Sequence, residues 1–258
     1  MTTPLDPAAI RLHRRGNGPA LALLHCLGVD HRLWEFAAAG LEDDFTLLSY
    51  DLPGHHETPP PEGAYGIAEL STQLAGVLAD AGVARAHLAG ISLGGLVAQH
   101  FAATYPERVD RLVLIDTTPR YTEEARQMWV ERAAAARAKG VASLMDGLLK
   151  IWFTDAFVAA DPPAVRYVRE TLERCSGEGY ALACAALRAA DLRAIVPKIR
   201  APTLVFCGDQ ELPPFKEAAQ WLTRSIGGAR FQALGPARHC SILEQPQAFR
   251  HALKEFLA

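Results

Sequence analysis

The stretch "RAHLAGISLGGLVAQHFAATYP" (85–106) constrains this chain more than any other part of it. It begins as an apolar run of strand length, 85–91. From Leu93 it continues as an apolar run with helical spacing that ends before Pro106. Only Ser92 separates the two, with Gly90 two residues before it and Gly94 two after. A strand that enters a helix through one residue bends sharply and strains that residue. Glycines on either side let backbone and side chains approach closely. Such a bend presents a hydroxyl above the carboxyl end of a strand, where open α/β sheets bind ligands. The helix from Leu93 aims its unpaired N–H groups at the same point and favours negative charge there.

The rest of the chain has the rhythm that such a bend requires. Apolar runs of strand length occur at 20–25, 45–51, 109–119, 201–209 and 229–235. Helical patterns occupy 67–82 and, with Pro246 in the first turn, 246–258. Strands alternating with helices predict an α/β fold: a mostly parallel, doubly wound sheet covered on both faces. The stretch 120–196 breaks the rhythm. It is rich in Ala, Arg and Glu, contains helical patterns such as "EEARQMWVERAAAARAKG", and has no sheet strand. We read it as a helical lid inserted into a core formed by 1–119 and 197–258.

Several classes are excluded early. The formal net charge is −3 and no Lys/Arg run stands out, so nucleic acid is not an expected partner. No window approaches 18 uninterrupted apolar residues, and the N-terminus lacks the pattern of a signal peptide. The five cysteines are odd in number and lack CxxC or metal-type spacing, which suggests free thiols in a reducing compartment. The expectation is a cytoplasmic protein acting on a small molecule, with no membrane partner. Nothing in the sequence fixes an oligomeric state.

A serine hydroxyl is a poor nucleophile unless a base reaches it and an acid orients that base. After a strand–turn–helix elbow the chain order is Ser, acid, His. His239, in "GPARHCSILEQP", follows the last strand and precedes the final helix, which makes it the candidate base. His25 and His55 come before Ser92, His100 lies within the helix after it, His87 opens a strand at its far end, and His251 lies in the terminal helix. For the acid, "VFCGDQELPPF" offers Asp209 and Glu211 beyond a strand end, with Asp116 as a more distant third choice.

Three motifs in this order, "HCLG" (25–28), "GISLGG" (90–95) and "RHCSILEQP" (238–246), resemble the α/β-hydrolase superfamily across nearly the whole chain. Within it, "HCLGVDHRLW" (25–34) and the elbow followed by an Ala-rich helix ending in "YPERV" are most similar to 3-oxoadipate enol-lactonases. The resemblance implies Ser92 as nucleophile, His239 as base, and an oxyanion hole from the backbone N–H groups of Leu27 and Leu93. It implies ester or lactone hydrolysis through an acyl-enzyme without metal or organic cofactor. The family's acid register, counted from Gly208, falls on Glu211, with Asp209 as the alternative. Trp34, Trp129, Arg132, Trp152 and Phe153 are the candidates for substrate contact, and an arginine there suits a substrate carboxylate. The chain departs from the family at "DLPGHHET" (51–58), where His56 and Thr58 replace a glycine and a serine and would alter the pocket wall. The same triad also serves broad carboxylesterases, thioesterases and carbon–carbon bond hydrolases. A ligand receptor on this fold is the non-enzymatic alternative.

Overall fold

The computed structural model describes residues 2–258. Seven strands form one sheet in the order β1-β3-β2-β4-β5-β6-β7. They are β1 (His13–Arg15), β2 (Ala20–Leu24), β3 (Thr46–Ser49), β4 (Ala86–Ile91), β5 (Val109–Ile115), β6 (Thr203–Gly208) and β7 (Arg230–Leu234). Every neighbouring pair is parallel except β1–β3, which is antiparallel. All residues of β3, β4 and β6 are buried, which accounts for mainly apolar runs in place of strict alternation. β7 is the opposite case. As an edge strand it exposes four of its five residues.

The helices follow from the strand order. α1 (Leu33–Ala37) carries the chain from β2 toward the β1 edge. α2 (Ile67–Asp80) and α3 (Leu93–Thr104) carry it the other way, to β4 and β5. Parallel crossovers are right-handed, so opposite directions of travel put α1 and the α2–α3 pair on opposite faces. α3 is buried along nearly its whole length, with Leu93, Leu96, Val97 and Phe101 wholly inaccessible.

Between β5 and β6 lie five helices: α4 (Glu123–Lys139), α5 (Met145–Trp152), α6 (Asp155–Ala160), α7 (Pro163–Arg174) and α8 (Gly177–Ala189). Their segment is pinched at its base. Arg120 and Asp191 form an isolated antiparallel bridge, and Leu192 N–H donates to Pro119 O at 2.9 Å. The chain closes with α9 (Pro213–Ser225) between β6 and β7, then α10 (Ser241–Glu244) and α11 (Pro246–Leu257), which packs on α1. No helix among the described residues is long and apolar enough to cross a membrane, and all five cysteines are free.

Candidate active site

The strand order reverses between β2 and β4, which creates a crevice at their carboxyl ends. Ser92 stands there, between β4 and α3, with φ 52° and ψ −111°. This is a strained conformation for a residue with a side chain. The surroundings over-determine it. Ser92 N–H donates to Ile115 O at 2.9 Å, and Thr117 Oγ1 donates to Ser92 O at 2.8 Å. A Cβ on Gly90 would collide with the backbone of Gly94, and one on Gly94 with the backbone of Leu24. The two flanking glycines are therefore required by close approach.

The loops after β6 and β7 bring the other groups to this point. His239 Nε2 lies 3.0 Å from Ser92 Oγ. Its Nδ1 lies 2.5 Å from Glu211 Oε2, so the carboxylate accepts the Nδ1 proton and, in the neutral ring, leaves Nε2 to accept from the serine. Glu211 Oε1 accepts from the backbone N–H of Leu212 at 2.7 Å, which fixes the carboxylate. Phe215 meets the His239 ring edge-on at 4.7 Å. Burial alone would lower the His239 pKa, but the charge and hydrogen bond of Glu211 outweigh it and raise the imidazole to about 9.

The other two acids sit elsewhere. Asp209 is exposed, and its Oδ1 accepts from Ala237 N–H at 2.9 Å, linking the loops after β6 and β7. Asp116 is buried with φ 43°. It accepts from Gly208 N–H at 2.9 Å and from Ser241 Oγ at 2.6 Å. It does not touch the imidazole but ties together the two loops that carry Glu211 and His239. Burial raises its pKa to about 7, aided by the charge of Glu211.

The loop after β2 completes the crevice. His25 Nε2 accepts from Leu52 N–H at 2.8 Å, so its proton sits on Nδ1 and is donated to Cys26 O at 2.7 Å. Burial lowers the His25 pKa and keeps the ring neutral. With the Cys26 carbonyl held in this way, the Leu27 N–H has no protein acceptor among the described residues, and neither has that of Leu93.

A cavity of about 620 Å³ opens onto Ser92 and His239. Trp129, Arg132 and Trp152 line it, together with Tyr121, Phe215 and Trp221. Three earlier expectations need correction. Trp34 is wholly buried and packs against Phe249 with ring centroids 6.5 Å apart, away from the cavity. Phe153 is also wholly buried. Its ring lies against Phe157, while its carbonyl accepts from Arg238 Nη1 at 3.0 Å. Both aromatics complete the apolar core, the commonest use of such residues. His56 and Thr58 do not wall the cavity. His56 takes the positive φ (36°) that a glycine would hold, and Thr58 N–H closes the turn onto His55 O at 2.9 Å.

Four arginines line this cavity against one glutamate, Glu217. Arg120 and Arg132 are half-buried, and Arg193 and Arg224 are exposed at its mouth. Arg120 and Arg193 share Asp191. Arg132 has no carboxylate partner among the described residues and lies over the Trp129 ring, 5.1 Å from its centroid. Sequence patterns singled out only Arg132. Tyr121, Phe215 and Trp221 left no signal there because they belong to loops and helix faces that only the tertiary fold turns inward.

The fold and the crevice define a class. Residues 19–145 match the model of the α/β hydrolase fold family, and the chain belongs to that family of hydrolytic enzymes. It is 33% identical over 236 residues to 3-oxoadipate enol-lactonase 2 of Acinetobacter baylyi, covering 92% of this chain and 87% of that one. It is 31% identical over 252 residues to the pimeloyl-[acyl-carrier protein] methyl ester esterase of Chromobacterium violaceum, covering 94% and 95%. The crystal structure of the enol-lactonase from Burkholderia xenovorans LB400 superposes with a TM-score of 0.92 at 33% identity, over 96% of both chains.

Proposed function

We propose that this hydrolase cleaves small carboxylate-bearing esters or lactones through an acyl-enzyme on Ser92. The relay from Glu211 through His239 to Ser92, at 2.5 and 3.0 Å, carries the reading. His239 Nε2 takes the Ser92 proton as Oγ attacks the carbonyl carbon. The developing oxyanion accepts from the free N–H groups of Leu27 and Leu93, the second of which heads α3. The C–O bond then breaks, and the leaving oxygen takes the proton from His239. In a lactone that oxygen stays attached to the acyl group, so a single product leaves after the second step. Water gives its proton to His239, attacks the acyl carbon, and releases the acid and the free serine. Glu211 stabilises the imidazolium formed in each half.

Substrate charge follows from the cavity. Its arginine excess, with Arg132 unpaired and half-buried, supports an anionic substrate. The helices over the crevice act as a lid, anchored where Trp152 O accepts from Cys240 N–H at 2.9 Å. The enol-lactonases among the relatives favour a lactone such as that of 3-oxoadipate. A second reading, a methyl ester of a longer acyl chain, is favoured by the exposed arginines at the mouth of a 620 Å³ cavity.

The test is a panel containing the enol-lactone of 3-oxoadipate, monomethyl esters of dicarboxylic acids, and neutral aryl esters, run with wild type and Ser92→Ala. The reading expects a preference for anionic members and no turnover above background by the variant. Preference for neutral esters would overturn the substrate class, and wild-type rates from Ser92→Ala the mechanism.

A further inference from the structure

Away from the cavity, β1 and the loops after β2 and β3 gather a second set of nitrogen and oxygen donors. The rings of His13 and His31 stack with centroids 3.7 Å apart and planes 10° from parallel. His13 Nε2 lies 2.8 Å from Glu57 Oε2. The ligating atoms of His13, His31 and Glu57 all fall within 4.8 Å of one another. We propose that these three residues bind one divalent transition-metal ion of the zinc type, at a site separate from the hydrolytic crevice.

Three features of the surroundings support this. First, two imidazoles and one carboxylate form a borderline donor set that suits zinc, cobalt or nickel better than magnesium or calcium. Second, His31 already has the outer partner that a ligating histidine needs. Its Nδ1 lies 2.8 Å from Asp51 Oδ1, which fixes the tautomer and leaves Nε2 as the ligand atom. Asp51 is itself buried and held by the backbone N–H groups of His31 at 2.7 Å and Glu57 at 3.0 Å. Third, the neighbouring acidic set of Asp30, His31 and Asp51 is already occupied. Asp30 is committed to Arg32 at 2.8 Å and to Tyr167 at 3.0 Å, and Asp51 to the contacts above. Glu57, by contrast, faces only His13 and Arg11, and Arg11 is 73% exposed and free to turn into solvent.

One adjustment is needed. Parallel rings 3.7 Å apart do not aim their lone pairs at one point, so one ring must turn out of the stack for both to meet a single ion. His13 is the ring that can move, because it lies on a three-residue edge strand with 26% of its side chain exposed. The ion displaces the proton shared by His13 and Glu57, which leaves to solvent. Water fills the remaining positions. Once bound, the ion ties the edge strand to the loops after β2 and β3.

The probes are zinc and cobalt chloride, added to full-length protein stripped with chelator. Calorimetry should show a single zinc site, and cobalt should give visible absorption bands. Zinc should also raise the Tm, since it binds only the folded chain. His13→Gln and Glu57→Gln should each weaken binding by at least about tenfold and abolish the Tm shift. Both residues are partly exposed, and the metal-free Tm of each variant reports that it is folded. His251→Ala, which removes a surface histidine 3.6 Å from Glu255 on α11, should change nothing. Ser92→Ala should bind zinc as wild type does, whatever its hydrolytic activity. Unchanged affinity in both ligand variants, loss of binding in His251→Ala, or no binding below about 100 μM zinc would each overturn the proposal.

Discussion

Asp116 and Ser241 join the acid loop to the histidine loop beneath the crevice. Asp116 Oδ2 accepts from Ser241 Oγ at 2.6 Å and from Ser241 N–H at 3.2 Å, while its Oδ1 accepts from Gly208 N–H. Ser241 lies two residues after His239, and Gly208 three before Glu211. Asp116→Ala leaves these buried donors unpaired, each at about 1–3 kcal/mol. It should lower the Tm and reduce kcat with little change in KM. Asp116→Asn keeps an acceptor for Gly208 and should recover part of both. Because the Asp116 charge also raises the His239 pKa, both variants should lower the apparent pKa of activity. An unmoved pH profile with only a lower Tm would reduce Asp116 to a structural group.

The pH dependence of activity has a definite sign. The base must be unprotonated, and His239 is raised to about 9 because Glu211 outweighs the lowering effect of burial. Activity should therefore climb with pH through an apparent pKa above 6.5. Glu211→Gln removes the charge, so the apparent pKa should fall while the rate drops by about 10⁴-fold. A raised imidazole stabilises the fold fully below its unfolded pKa near 6.5, and that contribution is lost as pH rises through about 9. Stability measured across pH 6–9 should decline more in wild type than in His239→Gln. Equal slopes would contradict the assignment.

Arg132 is the half-buried cavity arginine without a carboxylate partner among the described residues. Arg132→Ala should raise KM for carboxylate-bearing esters by about 10–100-fold, in line with the roughly 1.5–3 kcal/mol of a charge-assisted hydrogen bond. Neutral esters should be little affected. Equal losses for both classes would show that Arg132 supports the Trp129 ring and not the substrate.

Trp34 distinguishes core from pocket. Trp34→Ala should cost about 3–5 kcal/mol of stability, as buried aromatic truncations do. Its KM for anionic esters should stay near wild type while the protein is folded. A KM change without loss of Tm would restore Trp34 as a substrate contact.

These residues also show what was legible in the sequence. Gly90, Ser92 and Gly94 encode the bend because only that spacing satisfies the close approaches around it, so a local pattern carries the geometry. The buried strands were legible as apolar runs, with ends that differ by at most four residues. β1 was not, because three residues with the burial of an edge strand have no apolar signature. α9 was hidden by Leu212-Pro213-Pro214, which reads as a loop although proline suits a helix's first turn. The choice between Glu211 and Asp209 depended on a loop whose path only the fold reveals. Trp34 and Phe153 mislead for a physical reason: an aromatic side chain fills a core as readily as it walls a pocket.

The central claim is that Ser92 Oγ becomes covalently acylated with His239 as its base. Rapid acid quench during turnover of a slowly deacylating aryl ester, followed by peptide mass mapping, tests it directly. The account predicts one acyl mass increment, on the peptide containing Ser92, and none in Ser92→Ala. Steady turnover with no increment on that peptide, or the same increment elsewhere in Ser92→Ala, would contradict it.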